Sequence, residues 1–188
     1  MFRLFRPSRL AHLVVAAFVL LAASPAAAAV EIAFYSRELG TRFPHAFVTL
    51  KGTPDRGGAP VDTNWGFSAT GISPAILMGA VKGAVYSESA GYVSGSNRHF
   101  RFSMSDAEYD AVLATVQKWR NLKQPSYNLN GQNCVHFVAD IAATLGMAAD
   151  KTGKLMKKPT SYLASVTAAN RQWLLARGAV IDSKGSAK

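Results

Sequence analysis

The only cysteine of the chain, Cys134, stands where a polar turn gives way to an amphipathic segment. Residues 127–133 are turn formers and polar side chains, Asn133 is a favourable N-cap, and apolar residues then recur with helical spacing as far as Gly146. We therefore predict a helix that begins at Cys134. Backbone N–H groups and the helix dipole at such an end favour a thiolate, which makes Cys134 a candidate nucleophile. The alternative is a small buried hydrophobe, the usual role of a free cysteine.

A thiol nucleophile needs a base within hydrogen-bond reach. Of three candidate histidines, His136 is two residues from Cys134 on the same predicted helix, so the two side chains point to different sides. His99 lies on the polar face of a predicted strand, where we expect it to be exposed. His45 follows Pro44 at the start of a strand, from which it can face the helix N-terminus. We predict that His45 is the base, with a structural role as the alternative.

The base in turn needs a third group that fixes its orientation. This group should lie on the strand that pairs with the strand of His45. Across a turn at 54–60, Asp62 and Asn64 share one face of the next predicted strand. Asn64 is the first candidate and Asp62 the second, and an ordinary strand residue is the alternative for Asn64.

The reaction also needs donors for a developing oxyanion. We expect the backbone N–H of Cys134 to act with Gln132 or a neighbouring amide, unless Gln132 serves only the turn. The sequence has no metal-ligand cluster, no glycine-rich phosphate loop and no dinucleotide fingerprint. The spacing Cys134-x-His136 supplies too few ligands for a structural zinc. We therefore expect neither a metal nor a cofactor.

Strands come first along the chain and helices follow. Alternating apolar residues predict five strands, over 30–36, 46–51, 61–69, 84–89 and 98–104. One helical turn is expected within 71–83. Helical periodicity predicts three helices, from the capping box at Ser105 to about Asn121, from Cys134 to Gly146, and from Pro159 to about Ala176. This order is typical of a two-layer α+β domain.

Residues 1–29 have the layout of a secretory signal peptide. Three arginines, Arg3, Arg6 and Arg9, precede an apolar stretch over 13–23, and an alanine run ends at Ala29. We expect cleavage there and a periplasmic or secreted protein, with an uncleaved anchor as the alternative. Residues 30–188 are then a single domain with a basic C-terminal region.

The chain is strongly basic. Its formal net charge is +10, and three of the positive charges belong to the expected signal peptide, which leaves +7 for residues 30–188. Such a domain suits an anionic wall or membrane surface, and the alternative is that the charges only aid solubility. Nucleic acid is not an expected partner, because the compartment argues against it and aromatic residues do not interleave with basic ones.

Three short motifs together resemble a known superfamily. They are His45-Ala46-Phe47-Val48, Asn64-Trp65-Gly66 and Asn133-Cys134-x-x-Phe137. They look like the pieces of a papain-like cysteine enzyme in permuted order, with the histidine before the cysteine. That order is similar to the permuted branch of the NlpC-type cell-wall amidopeptidases, which includes lecithin:retinol acyltransferase-like proteins. The resemblance implies a circularly permuted papain-like fold, in which an antiparallel sheet packs against helices, and a thioester mechanism.

These observations together predict a function. We expect an exported thiol-dependent hydrolase that cleaves an amide bond, in cell-wall peptide, through a thioester on Cys134. One alternative is a lipid acyltransferase or thioesterase on the same fold, with a lipid acyl substrate. Another is a non-catalytic binding or inhibitor domain, whose cysteine would be buried and unreactive.

Overall fold

The computed structural model describes residues 29–38, 43–71 and 73–182. The expected signal peptide lies outside the described residues, except for Ala29. Within the described ranges, no helix combines the length and the apolar character that a membrane crossing requires.

Six antiparallel strands form one sheet in the order β4-β3-β2-β1-β5-β6. The five predicted strands are present with ends shifted by up to three residues, whereas β6 has two residues, too few for a sequence pattern. The strands are β1 (Val30–Arg37), β2 (His45–Gly52), β3 (Val61–Ala69), β4 (Gly83–Tyr86), β5 (Asn97–Met104) and β6 (Val180–Ile181).

The helices lie mostly in the second half of the chain. The predicted helix over 159–176 is two helices, because the Asn170 side chain turns back to bond both backbone groups of Ala148 and ends the first of them. The short helix over 90–94 was not predicted. The helices are α1 (Ala75–Met78), α2 (Ala90–Ser94), α3 (Asp106–Arg120), α4 (Cys134–Thr144), α5 (Pro159–Ala169) and α6 (Arg171–Ala176).

The core lies between the sheet and helices α3, α4 and α5. Alternate residues of β1 and β2 are fully buried on one sheet face, as the period of a strand requires. The apolar side chains of α4 cover those of β2, and α5 covers those of β1. Burial of this surface is the main force that holds the two layers together. The α+β prediction, an antiparallel sheet packed against helices, is confirmed. The principal core residues are Ile32, Phe34, Val48, Leu50, Phe137, Val138 and Ile141.

A β-bulge changes the position of His99. The β1–β5 register shifts between Phe34 and Tyr35, so His99 is an extra residue in β5. The bulge turns its side chain into the interior, where only 1 % of it is exposed and Nε2 lies 2.8 Å from the Ser36 hydroxyl. Ser36 bonds in turn to the Thr160 hydroxyl of α5. The expectation that His99 is exposed was wrong, because strict alternation fails at a bulge.

At the end of the sheet where β2 begins and β3 ends, the pairing between these two strands stops before the strands themselves end. The β2–β3 ladder runs from Gly52 opposite Val61 to Val48 opposite Trp65. Residues 45–47 lie beyond the end of this ladder and are held by β1, where His45 is opposite Arg37. The start of α4 lies at this same end, because Cys134 contacts the backbone of residue 46.

Candidate active site

Cys134 is the first residue of α4, as predicted, and its neighbour Asn133 holds it there. The Asn133 side-chain oxygen accepts from the N–H groups of Val135, at 2.8 Å, and His136, at 3.3 Å. Its side-chain nitrogen donates to the carbonyls of Leu129 and Met156. Asn133 is 2 % exposed, so these four bonds fix the helix start inside the protein. The thiol therefore has a defined position.

The turn before the helix is closed by its own backbone. Asn128 and Gln132 exchange two backbone hydrogen bonds, each 2.8 Å long. The Asn128 side-chain oxygen also accepts from the N–H groups of Asn130 and Gly131. The Gln132 backbone is thus required for the turn, and its role as an oxyanion donor stays a prediction.

The Cys134 sulfur is almost enclosed, and backbone N–H groups act on it. The residue is 6 % exposed, and the N–H groups of Ala46, Val135 and Cys134 itself act to lower the pKa of the thiol. These donors favour the thiolate, as expected for a helix N-terminus. Burial has the larger effect and raises the pKa of the thiol to about 11. Cys134 is therefore a protonated thiol at neutral pH when the site is empty.

His45 precedes Ala46, whose backbone N–H acts on the Cys134 thiol. The imidazole of His45 is buried. It stacks on the ring of Phe47, with 6.0 Å between the ring centroids, and it lies against the backbone of Gly66. Burial lowers the pKa of His45 to about 4. The ring is consequently neutral at pH 7 and has a lone pair that can accept a proton.

Gly66 allows the imidazole to occupy this place. A Cβ on Gly66 would lie 2.3 Å from Nε2 of His45 and 2.9 Å from its Cε1. Because real Cβ atoms never approach so closely, any larger residue at this position of β3 would displace the ring. The glycine of the Asn-Trp-Gly motif is therefore the residue of β3 that meets His45.

Glu88 supplies the acidic neighbour of His45. Its carboxylate oxygen lies 3.8 Å from Nε2, and its side chain is 17 % exposed. Sequence reasoning missed this residue, because the strand predicted over 84–89 places Glu88 within the sheet, whereas β4 ends at Tyr86 and the chain turns toward α2. One signal was available, since Glu88 is the single acidic residue between Asp62 and Asp106.

Asn64 is connected to His45 through Glu88. Its side-chain oxygen accepts from the Glu88 N–H at 2.6 Å, and its side-chain nitrogen donates to the Glu88 carbonyl at 3.0 Å. The Ser87 hydroxyl donates to the Asn64 carbonyl. Asn64 therefore holds the backbone of the residue whose carboxylate approaches His45, and we describe it as a positioning residue.

The structure does not bring Asp62 to His45. Asp62 lies opposite Lys51, at the far end of the β2–β3 ladder, and forms an ion pair with it at 3.6 Å. Both side chains are more than three-quarters exposed. Asp62 and Asn64 line an open groove of about 880 Å³ on the sheet.

His136 is directed away from the thiol, as expected. Its Nδ1 lies 3.0 Å from the side-chain oxygen of Asn133 and 3.4 Å from the Asn133 backbone nitrogen. The imidazole thus completes a capping box at the start of α4. Burial and the nearby Lys151 hold the pKa of His136 below its usual value.

Tyr127 is a second residue that sequence reasoning missed. Burial raises the pKa of its phenol, and the negative charge of a Cys134 thiolate raises it further. The phenol is therefore protonated at neutral pH and interacts electrostatically with a Cys134 thiolate. Tyr127 exchanges two backbone hydrogen bonds with Val81, at 2.8 and 2.9 Å. Its signal in the sequence is an aromatic residue in an otherwise polar turn.

In the part of the chain that the structure describes, no three His, Cys, Asp or Glu side chains are grouped so that they could hold a metal ion.

Comparisons of the chain with protein-family models, with curated proteins and with solved structures found no match.

Proposed function

We propose that this protein is an exported cysteine hydrolase on a circularly permuted papain-like fold, and that it cleaves an amide bond in cell-wall peptide. One observation carries the proposal. The backbone N–H of Ala46, the residue after His45, acts on the Cys134 thiol, the imidazole of His45 is buried and neutral, and a Glu88 carboxylate lies 3.8 Å from its Nε2. We assign these three groups as the nucleophile, the base and the acidic neighbour of the base.

The chemistry follows from these positions. In the first step, the sulfur attacks the amide carbon while His45 takes the thiol proton. The charge that develops on the substrate oxygen is stabilised by the Cys134 N–H and by the Tyr127 hydroxyl. The imidazolium then protonates the nitrogen of the leaving amine, and the C–N bond breaks. A thioester remains on Cys134.

Water completes the cycle. His45, neutral again, takes a proton from a water molecule that attacks the thioester carbon. The C–S bond breaks, the thiol regains its proton and a carboxylic acid leaves. In both half-reactions an imidazolium forms in a buried place, where a positive charge is costly. The Glu88 carboxylate offsets part of this cost, as the third member of a triad does.

The choice of cell-wall peptide rests on the expected export signal, on the basic charge of residues 30–188 and on the resemblance of the three motifs. A lipid acyl substrate is the second candidate. It is favoured by two exposed apolar side chains, Leu77 and Met78, on the loop that bonds to Tyr127. An acyltransferase or thioesterase would use the same thioester.

A non-catalytic binding domain is the third candidate, and the raised pKa of Cys134 favours it. A thiol with a pKa of about 11 reacts slowly unless a base takes its proton during the attack. The enzyme proposal therefore requires that His45 act as a general base rather than as half of a stable ion pair.

The reaction products distinguish the three candidate functions. The exported form is incubated with peptidoglycan fragments and with phospholipid vesicles, and products are identified by mass spectrometry. We expect new peptide termini, and none from Cys134→Ala. Released fatty acid or a transferred acyl group would favour the lipid enzyme. No turnover of either substrate by folded protein would favour the binding domain.

A further inference from the structure

The loop between β3 and β4 exposes large apolar side chains. In its short helix α1, Leu77 is 77 % exposed and Met78 is 88 % exposed. Residues 71–81 include no charged side chain. Single exposed apolar residues are common on protein surfaces, but two adjacent ones on an uncharged projection call for an explanation. We call Leu77 and Met78 the apolar tip.

Hydrogen bonds hold both ends of the loop that carries the apolar tip. The Thr70 N–H donates to the Lys82 carbonyl at 2.9 Å and closes the loop. Val81 is bonded to Tyr127 in both directions, and the Gln124 side chain bonds both backbone groups of Gly83. The interior of the protein therefore holds the loop at both ends, so the exposure of the tip is a property of the fold.

The apolar tip lies at the end of the sheet that carries the candidate active site. The loop leaves β3 where that strand ends, which is the end where antiparallel β2 begins with His45. Phe43, two residues before His45, is 59 % exposed at the same end. Tyr127 connects the two regions, since its backbone bonds the loop and its phenol interacts electrostatically with Cys134.

The two segments that adjoin the tip are basic, although Glu38 and Glu88 lie at the same end of the sheet. Two segments meet here, 63–87 and 111–139, and neither contains an aspartate or glutamate. They carry four exposed cations: Lys82, Lys118, Arg120 and Lys123. An acidic or neutral partner surface is thus favoured, and a second copy of this basic end is disfavoured by like charge.

We propose that this end of the molecule docks on an anionic lipid membrane, with Leu77 and Met78 inserted among the acyl chains and the four cations against the headgroups. A narrow apolar projection next to segments with exposed cations is an arrangement by which proteins bind the membrane interface. Two side chains give too little apolar area for a stable protein interface, which buries on the order of 800 Å² per partner. The proposal is independent of the proposed function, because binding is measured without turnover.

Vesicle binding tests the proposal. The exported form, with its N-terminus verified by mass spectrometry, is sedimented with phosphatidylcholine vesicles and with vesicles that contain phosphatidylglycerol. We expect binding to the anionic vesicles that weakens at high salt, and binding at least tenfold weaker for the double variant Leu77→Ser, Met78→Ser. Lys82→Glu with Lys123→Glu should weaken it similarly.

Leu175→Ser is the matched control, because Leu175 is 55 % exposed on α6, away from the tip. It should bind like the unchanged protein. The proposal is overturned if the unchanged protein does not bind anionic vesicles, or if the tip variant binds as well as the control. It is also overturned if gel filtration shows a dimer that the tip variant abolishes, since a second copy would then be the occupant.

Discussion

The carboxylate of Glu88 and Nε2 of His45 lie 3.8 Å apart, just beyond hydrogen-bond distance. Two bonds from Asn64 to the Glu88 backbone fix the residue from which that carboxylate extends. A small rotation of either side chain closes the gap, and unliganded active sites commonly have such long contacts. In the proposed enzyme, Asn64 and Glu88 together supply the orienting role that the sequence predicts for Asn64 alone.

Glu88→Gln should lower kcat with a smaller change in KM. The variant keeps the backbone that Asn64 holds, but it cannot stabilise an imidazolium. We expect a loss of roughly 10- to 100-fold. The acidic limb of the pH–rate profile should move to lower pH, because the His45 imidazolium loses its negative neighbour. Asp62→Asn is the control, and equal activity of the two variants would remove Glu88 from the site.

Gly66→Ala should inactivate the protein without unfolding it. The new Cβ would meet Nε2 of His45 at 2.3 Å and force the ring away from its place. Overpacking of this kind costs about 1–3 kcal/mol of unfolding free energy. Gly91→Ala, which meets no atom within 4 Å, should leave both activity and stability unchanged. Activity assays and urea titrations measure the two effects, and a fully active Gly66→Ala would show that the ring position is unimportant.

Alkylation should reveal the pKa of Cys134. Since burial raises that pKa to about 11, the native thiol should react slowly with iodoacetamide at pH 7 to 8 and faster as the pH approaches 11. The urea-unfolded protein should react at the pH of an ordinary thiol. A native rate that is already maximal below pH 7 would instead indicate a thiolate–imidazolium pair with His45.

Acid should destabilise the fold between about pH 6.5 and pH 4. Burial lowers the pKa of His99 to about 4, although Asp182 acts in the opposite direction. A histidine with a folded pKa below its unfolded value stabilises the protein above the unfolded pKa, and this contribution is lost as the pH falls toward the folded value. Protonation would also leave an N–H at Nδ1, which has no hydrogen-bond partner among the described residues.

His45 contributes in the same direction and over the same range. Each histidine adds at most about 1.4 kcal/mol per pH unit to the slope of the unfolding free energy. His99→Gln should therefore reduce this slope by about one proton, measured by urea unfolding at several pH values. A variant with the unchanged slope would show that His99 is not buried as a neutral ring.

The sequence predicted the elements well because their signals are local. The start of α4 needs only Asn133 and the apolar spacing after it, and both lie within a few residues of Cys134. The α+β class follows from the order of strands and helices. His45 could be placed at the start of β2 because Pro44 limits the strand.

What the sequence could not predict depends on distant parts of the chain. Glu88 reaches His45 only because β4 ends early and Asn64, 24 residues before it, holds the turn. The burial of His99 depends on a bulge against β1, which no pattern in β5 announces. The pKa of Cys134 depends on how completely the fold encloses the sulfur, which helix position alone does not determine.

The order of the site residues along the chain has a consequence for synthesis. A ribosome makes the N-terminus first, so strands β1 to β4 and the residues His45, Gly66 and Glu88 are complete before Cys134 is added. These strands pair mainly with their neighbours in sequence and can form a sheet early. In the proposed enzyme, the thiol is thus the last part of the site to be made. An incomplete chain that ends before α4 holds no thiol at all, so unfinished molecules cannot attack their surroundings.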